Sequence, residues 1–343
     1  MSLPGPLRYL LLPLSLLRLA SGYKSFADPL LGNKELNRRG LHVWRLRMAH
    51  LVAERRRKRL QNLVSAEDRV AFAEKGFVEK RGLLAAADYA ALVDEIHALT
   101  APAREMREGN AVTRRIAVTP ALLAQAPALR KLLDTPEWRG LTRYIGGFNA
   151  EPIVCIQTIF GAPDGSKTDP QTRLHMDTFH PTMKAWFFLH DVEPGQGPFT
   201  YVPGSHRPTK RRLAWHKRRS VLASEASTKG GAFRVADEQL RALRLPGRHV
   251  FAVPGNTLVV ADTFGLHARG QSLHATTRLE IYASMRPNPF NPFTFLDTAF
   301  LPFVHGRKVL IGWWVEDALV AAGLTRRIWK KAGTIGPAAE RKP

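Results

Sequence analysis

From Pro152 to Arg286 the chain breaks into short runs rich in branched and aromatic residues. These are Pro152 to Phe160, Lys184 to His190, Phe199 to Val202, His249 to Val253, Thr257 to Ala261 and Thr276 to Arg286. Turn signals such as Pro194-Gly195, Pro203-Gly204 and Pro254-Gly255-Asn256 separate them. Segments this short bury little on their own and must pair into a sandwich or barrel. The best match is a mainly β, double-sheet jelly roll with helices flanking it at both ends.

The flanking regions read as helical. Leu41 to Leu60 repeats Leu41, Trp44, Met48, Leu51 and Val52 at helical spacing and ends in Arg55-Arg56-Arg57-Lys58-Arg59. After a short strand at Gly76-Phe77-Val78 come helices over Ala85 to Leu99, Pro120 to Leu133 and Pro136 to Tyr144, the last two opened by prolines in the first turn. A further helical piece surrounds Trp314 to Leu324, and Gly336 to Pro343 reads as loose. The expected organisation is a basic, partly apolar N-terminal helical extension over 1–65, a jelly-roll domain over 66–290 and a helical tail over 291–343. Within the middle domain, 66–150 is a helical lead-in and 151–290 the β core.

Charge is the other constraint. The chain of 343 residues carries +22, with thirteen Lys/Arg against three acids in residues 1–60 and seven against none from Arg207 to Arg219. Such a surface attracts polyanions. No nucleic-acid module or zinc-finger spacing is present, which speaks against specific nucleic-acid binding. The apolar run Tyr9 to Leu17, flanked by Arg8 and Arg18, is too short to span a bilayer. It reads as an interfacial anchor on an anionic membrane surface, with a packed helix or a cleaved signal as alternatives. The single cysteine, Cys155, excludes an internal disulfide and suits a reducing compartment. The expected location is cytoplasmic, with peripheral contact on the inner face of the membrane.

His175-Met176-Asp177 lies inside the β region, and His267 follows ninety residues after Asp177. On an extended strand His175 and Asp177 share one face and Met176 takes the other. Two imidazoles and one carboxylate on three faces of an ion, with open positions left over, are the ligand set of a non-haem Fe(II) oxygenase. Among the twelve histidines, His206 in its Pro203-Gly204-Ser205 turn is the strongest rival to His267. Arg278 sits on the polar face of the last strand with Glu280 and Tyr282, while Leu279, Ile281, Ala283 and Met285 form the apolar face. An inward arginine needs an anion, and the far carboxylate of 2-oxoglutarate suits its two-pronged guanidinium. The plainer alternative is a structural Arg278–Glu280 pair, and Arg269 and Arg286 are rival clamps.

His175-Met176-Asp177, Lys184-Ala185-Trp186, the turn from Gly197-Pro198-Phe199 through Pro203-Gly204-Ser205-His206, and His267 eleven residues before Arg278 together resemble the phytanoyl-CoA dioxygenase family. The resemblance covers roughly Gly76 to Pro287. It implies a double-stranded β-helix, Fe(II) held by His175, Asp177 and His267, and 2-oxoglutarate and O2 as co-substrates with Arg278 as clamp. It further implies that Trp186, and more weakly Gln157, line the co-substrate pocket. One departure stands out: two residues past His267, where the family often has a small hydroxyl residue, this chain has Arg269. The expected activity is hydroxylation of an unactivated C–H bond of a small organic, lipid-like substrate, with release of succinate and CO2. A non-catalytic jelly-roll module for an anionic partner, and a cupin-type metalloenzyme that does not use 2-oxoglutarate, are the alternatives.

Overall fold

The computed structural model describes residues 12–162, 169–296, 301, 304 and 306–340. Helices α1 (Leu12–Leu19), α2 (Lys34–Arg39), α3 (Leu41–Arg59) and α4 (Ala66–Lys75) precede strand β1 (Phe77–Arg81) and helix α5 (Ala86–Ala98). Strands β2 (Ala101–Glu108) and β3 (Ala111–Ala117) lead into α6 (Pro120–Gln125), α7 (Pro127–Asp134) and α8 (Pro136–Gly146). Next come β4 (Ile153–Gly161), β5 (Met183–Phe188), β6 (Phe199–Tyr201), α9 (Lys210–Glu225) and α10 (Asp237–Ala242). The chain closes with β7 (His249–Val250), β8 (Thr257–Asp262), β9 (His267–Arg269), β10 (Thr276–Met285), α11 (Lys308–Ala321) and β11 (Lys330–Ile335).

The strands form an eight-stranded sheet in the order β1-β8-β5-β10-β4-β3-β2-β11 and a three-stranded sheet in the order β7-β6-β9. Every pairing is antiparallel. This is the expected mainly β, double-sheet jelly roll with flanking helices.

Strand parity decides what each face does. On β5 and β10 the residues Met183, Ala185, Phe187, Leu279, Ile281, Ala283 and Met285 pack beneath the helices with Leu132, Trp138, Leu141 and Ile145. Their neighbours Trp186, Phe188 and Tyr282 point the other way, into an aromatic core shared with Phe199, Tyr201 and Phe251 of the small sheet and its surroundings. The helical cover is well punctuated. α8 starts at Pro136, with the Thr135 hydroxyl accepting from the Trp138 amide at 3.3 Å, and stops at Gly147, whose φ of 62° suits glycine.

Several elements differ from expectation. The helix read over Pro120 to Leu133 is two helices, because Pro127 has no amide to continue the first and instead opens the second. The 66–150 segment is not merely a helical lead-in: β1, β2 and β3 belong to the large sheet. Nor is 291–343 a helical tail, since β11 pairs with β2 as the eighth strand. Gly336, Pro337 and Ala339 are tied down by their carbonyls, which accept from Arg114. Residues 341–343 lie outside the described residues.

The N-terminal extension packs onto the body rather than standing apart. α3 buries His42, Arg45, Leu46, Ala49, His50, Ala53, Arg56 and Arg57, while Trp44 and Leu51 face solvent. The apolar stripe read from the sequence is thus not the buried face: Leu41, Met48 and Val52 are only half-buried. The buried arginines act as multiple donors to main-chain carbonyls. Arg45 reaches Ser21 at 2.7 Å and Tyr23 at 3.0 Å, and Arg56 reaches Asn288 and Asn291 at 3.1 Å. Arg18 is paired with Asp28 at 3.0 Å. Residues 1–11, which include Arg8 and the start of the Tyr9 to Leu17 run, lie outside the described residues. Among the described residues no helix is long and apolar enough to cross a membrane. The Arg207 to Arg219 run is mostly α9, whose buried Arg212 lies over Phe264 at 4.3 Å, with Trp215 and His216 also inside.

Arg57 joins extension to core. It donates to the Ile145 carbonyl at 2.7 Å and to Asp262 at 2.9 Å, and the Asp262 carboxylate also accepts from the Phe264 amide at 3.0 Å. Removing one partner of a buried pair strands the other charge, at a cost of about 3–5 kcal/mol. Asp262→Ala is therefore expected to lower the stability measured by urea unfolding by that amount, with an unchanged slope. A loss below about 1 kcal/mol would show the pair to be solvated and unimportant.

Candidate metal centre

His175 and Asp177 lie outside the regular strands, in the loop before β5. Backbone pairing nevertheless fixes their direction. The His175 amide donates to the His267 carbonyl and the His267 amide to the His175 carbonyl, each at 3.0 Å, and the Asp177 amide donates to the Thr263 carbonyl at 3.0 Å. Leu174 and Met176 turn into an apolar cluster with Leu46, Phe179 and Phe264. His175 and Asp177 consequently face the other way, toward His267 at the head of β9. The alternation expected of a strand is kept, although the strand itself is replaced by isolated bridges.

The Nδ1 atoms of both histidines are engaged in the same manner. His175 Nδ1 lies 2.9 Å from the Arg173 carbonyl and His267 Nδ1 lies 2.9 Å from the Gly265 carbonyl. A carbonyl can only accept, so Nδ1 carries the hydrogen and Nε2 presents its lone pair. This is the outer hydrogen bond that orients a metal-bound imidazole. His267 Nε2 is buried without a hydrogen-bond partner. Such an atom is costly unless something binds it. His175, Asp177 and His267 offer ligand atoms that all lie within 4.8 Å of one another.

Electrostatics suit a divalent cation. Burial, reinforced by the neighbouring His267, pushes His175 down to about 3, so its imidazole is neutral and free to coordinate. Burial would raise Asp177, but Lys184, His267 and Arg286 outweigh it and hold the carboxyl well below its ordinary value. Lys184 Nζ lies 2.7 Å from Asp177 Oδ2 and Arg286 lies 3.5 Å from the same oxygen. Lys24, from the N-terminal extension, donates to the Asp177 carbonyl. Two imidazole nitrogens and one carboxylate thus converge. The donor set fits an ion of the Fe(II) type.

A cavity of about 180 Å³ opens beside this cluster, lined by His175, His267, Arg115, Gln157, Trp186 and Arg278 among others. Arg278 enters it from β10 but is already held: its Nε donates to Glu280 at 2.9 Å and it also donates to the Gly197 carbonyl. Glu280 is fully buried and accepts from Gln157 at 2.5 Å, and Gln157 in turn accepts from Arg115 at 2.7 Å. The Arg278–Glu280 pair expected as the plainer alternative is therefore real, but it is interior. Trp186 stacks on Phe199 at 4.0 Å, so it belongs to the aromatic core and to the cavity wall at once. Arg269 also lines the cavity and pairs with Asp169 at 2.8 Å.

Three cavity or ligand-supporting groups went unread in the sequence. Arg115 sits on β3, with its guanidinium over Tyr282 at 4.5 Å. The alternation of Thr113 and Arg115 would have marked it had 111–117 been read as a strand. Lys24 and the pairing role of Lys184 carry no local signal. His206 is buried against Phe72 at 5.3 Å, with His97 and His190 paired elsewhere at 3.0 Å, so none of them joins the cluster.

Comparison with known proteins gives one family match and a set of distant structural likenesses. The family model for phytanoyl-CoA dioxygenase (PhyH) matches residues 72–238, a span that holds His175 and Asp177 and stops before His267 and Arg278. Among solved structures, the epimerase SnoN, in complex with Fe3+, alpha-ketoglutarate and nogalamycin RO, is 18% identical with a TM-score of 0.43, covering 64% of this chain and 81% of that one. HygX from Streptomyces hygroscopicus, with nickel and 2-oxoglutarate bound, is 17% identical with a TM-score of 0.40, over 64% of this chain and 86% of that one. EctD from S. alaskensis, with bound Fe, is 16% identical with a TM-score of 0.38, over 65% of this chain and 76% of that one. Comparison with curated proteins finds no match. Over residues 72–238, just under half of its length, the chain is similar to the phytanoyl-CoA dioxygenase (PhyH) family.

Proposed function

We propose that this protein is an Fe(II)- and 2-oxoglutarate-dependent oxygenase that hydroxylates an unactivated C–H bond of a small, lipid-like organic molecule. The observation that carries the reading is the buried, unpartnered Nε2 of His267 facing Asp177 Oδ1 at 3.6 Å, with His175 oriented to match. In this reading His175, Asp177 and His267 hold the iron. Bound there, Fe(II) supplies O2 activation coupled to decarboxylation of 2-oxoglutarate to succinate and CO2.

The other residues set geometry and polarity. Arg278 holds the far carboxylate of 2-oxoglutarate, with Glu280 and Gly197 fixing its guanidinium in place. Gln157 fixes Glu280 from the opposite side. Trp186, stacked on Phe199, closes the apolar wall and keeps water from the reacting atoms. Lys184 and Arg286 keep Asp177 anionic.

The test is Fe(II)-dependent conversion of 2-oxoglutarate to succinate, run with and without candidate lipid-like substrates. Stimulated succinate release together with a product carrying one added oxygen atom is the expected result. Absence of any Fe(II)-dependent succinate would sink the reading, and succinate release with an epimerised or cyclised product would overturn its hydroxylation half.

Arg278 gives a sharper expectation. Loss of a charge-assisted bond costs about 1.5–3 kcal/mol, or roughly 10–100-fold in 2-oxoglutarate affinity. Arg278→Ala should show that loss and also strand the buried Glu280, destabilising the fold by about 3–5 kcal/mol. The double variant Arg278→Met/Glu280→Gln should recover most of the stability while 2-oxoglutarate affinity stays low. Recovery of both, or of neither, would show that Arg278 is purely structural or that Glu280 is not its counter-charge.

A further inference from the structure

α11 is apolar on the side that faces solvent. Leu310, Ile311, Trp314, Val315 and Leu319 recur at the spacing of one helical face, and all are exposed, Trp314 at 70%. Of the helix's residues only Trp313 is buried, under the Arg104 guanidinium at 5.1 Å. The two acids of the helix are turned away from the apolar face. Asp317 accepts from Arg104 at 2.7 Å and from Arg327, and Glu316 accepts from the Trp329 amide at 3.0 Å. Cations stand at both ends, with exposed Arg307 before the helix and exposed Arg326, Lys330 and Lys331 after it.

We propose that this face of α11 docks the protein onto an anionic lipid bilayer. An exposed, contiguous apolar stripe with a central tryptophan and flanking lysines and arginines is the pattern of a helix lying in the membrane interface. Charge selects the occupant. A second copy of a chain carrying +22 repels the first, whereas anionic headgroups attract it. The chain that follows α11 reaches a residue of the metal cavity. α11 leads through Trp329, whose ring lies 5.0 Å from the Arg115 guanidinium, into β11 on the edge of β2. Arg115 and Met106 of β2 both line the cavity. The anionic membrane surface expected to contact residues 9–17 is here assigned to a different element.

Flotation with phosphatidylcholine vesicles, with and without phosphatidylglycerol, tests the proposal on the full chain. Binding is expected only when phosphatidylglycerol is present, weakening as salt is raised. Ile311→Glu/Trp314→Glu should reduce it by at least about tenfold, since each substitution removes a buried apolar side chain and adds a repelled charge. Both sites are solvent-exposed, so the melting temperature should hold, and retention of 2-oxoglutarate turnover separates this result from any failure of the oxygenase reading. Leu16→Glu/Leu17→Glu on α1 is the control and should bind as wild type. The proposal is overturned if the α11 variant binds normally, if only the α1 variant loses binding, or if light scattering shows that α11 instead joins two copies and vesicles are ignored.

Discussion

His267→Ala is expected to remove Fe(II)-dependent succinate formation almost entirely, by more than about 100-fold. That exceeds the 10–100-fold typical when only a supporting hydrogen bond around a metal is lost. The reason is geometric. His267 supplies a ligand nitrogen and also faces His175, with ring centroids 4.5 Å apart and reciprocal backbone bonds. Alanine keeps the backbone bridge and deletes the nitrogen, so the fold should survive. Asp177→Ala should behave alike for a further reason: without its carboxylate, Lys184, Arg286 and the metal charge face one another unscreened. Asp177→Glu, one methylene longer, should retain partial metal binding. Equal activity in wild type and His267→Ala, at equal iron loading, would remove the histidine from the metal's coordination.

Acid stability should fail abruptly. Among the described residues, five histidines outside the metal cluster are buried: His42, His50, His180, His206 and His216. Burial pushes His42, His180 and His206 down to about 3, and His50 and His216 well below the ordinary value, with nearby arginines adding to each. The folded chain therefore keeps these rings neutral. Once unfolded they take up protons as the pH falls through about 6.5. Between roughly pH 6.5 and 3 the unfolded state binds more protons, so stability falls as pH drops through that window and is flat above it. Each ring contributes up to about 1.4 kcal/mol per pH unit, and five together approach roughly 7 kcal/mol per unit. Against a typical total of about 5–15 kcal/mol, that is enough to unfold the protein in weak acid. Thermal melts from about pH 8 to 4.5 should show a level melting temperature down to about 7 and a steep decline below about 6.5. A level profile down to about pH 5 would mean these rings are hydrated or already charged.

Much of the architecture was legible because alternation is a local property. The Thr276 to Arg286 run separates Arg278, Glu280 and Tyr282 from Leu279, Ile281, Ala283 and Met285, and the structure places these sets on opposite faces of β10. The same parity survives at His175-Met176-Asp177, although no regular strand is present there. What failed to show was set by partners far away in sequence. α3 buries arginines because carbonyls and carboxylates of other segments, at Ser21, Ile145, Asp262 and Asn288, accept from them, and His42 because the His216 ring lies 3.3 Å away. Hydropathy alone then assigns the wrong face.

β2, β3 and β11 were missed for a related reason. Ala101–Glu108, Ala111–Ala117 and Lys330–Ile335 carry many charged residues. They lie at one end of the sheet, where one face meets the polar cavity or solvent, so the apolar alternation that marks a central strand is absent. With β3 unread, Arg115 could not be placed in the cavity. Lys24 reaches Asp177 across 153 residues, and no spacing rule points to it.

His175, Asp177 and His267 are proposed to hold one Fe(II) beside a 2-oxoglutarate site. Anaerobic titration of 2-oxoglutarate into the Fe(II)-loaded protein, followed by visible absorption, tests it most directly. A weak, saturable charge-transfer band is expected in wild type, lost in His267→Ala and shifted to higher 2-oxoglutarate concentration in Arg278→Met/Glu280→Gln. No band in wild type, or an undiminished band in His267→Ala, would contradict it.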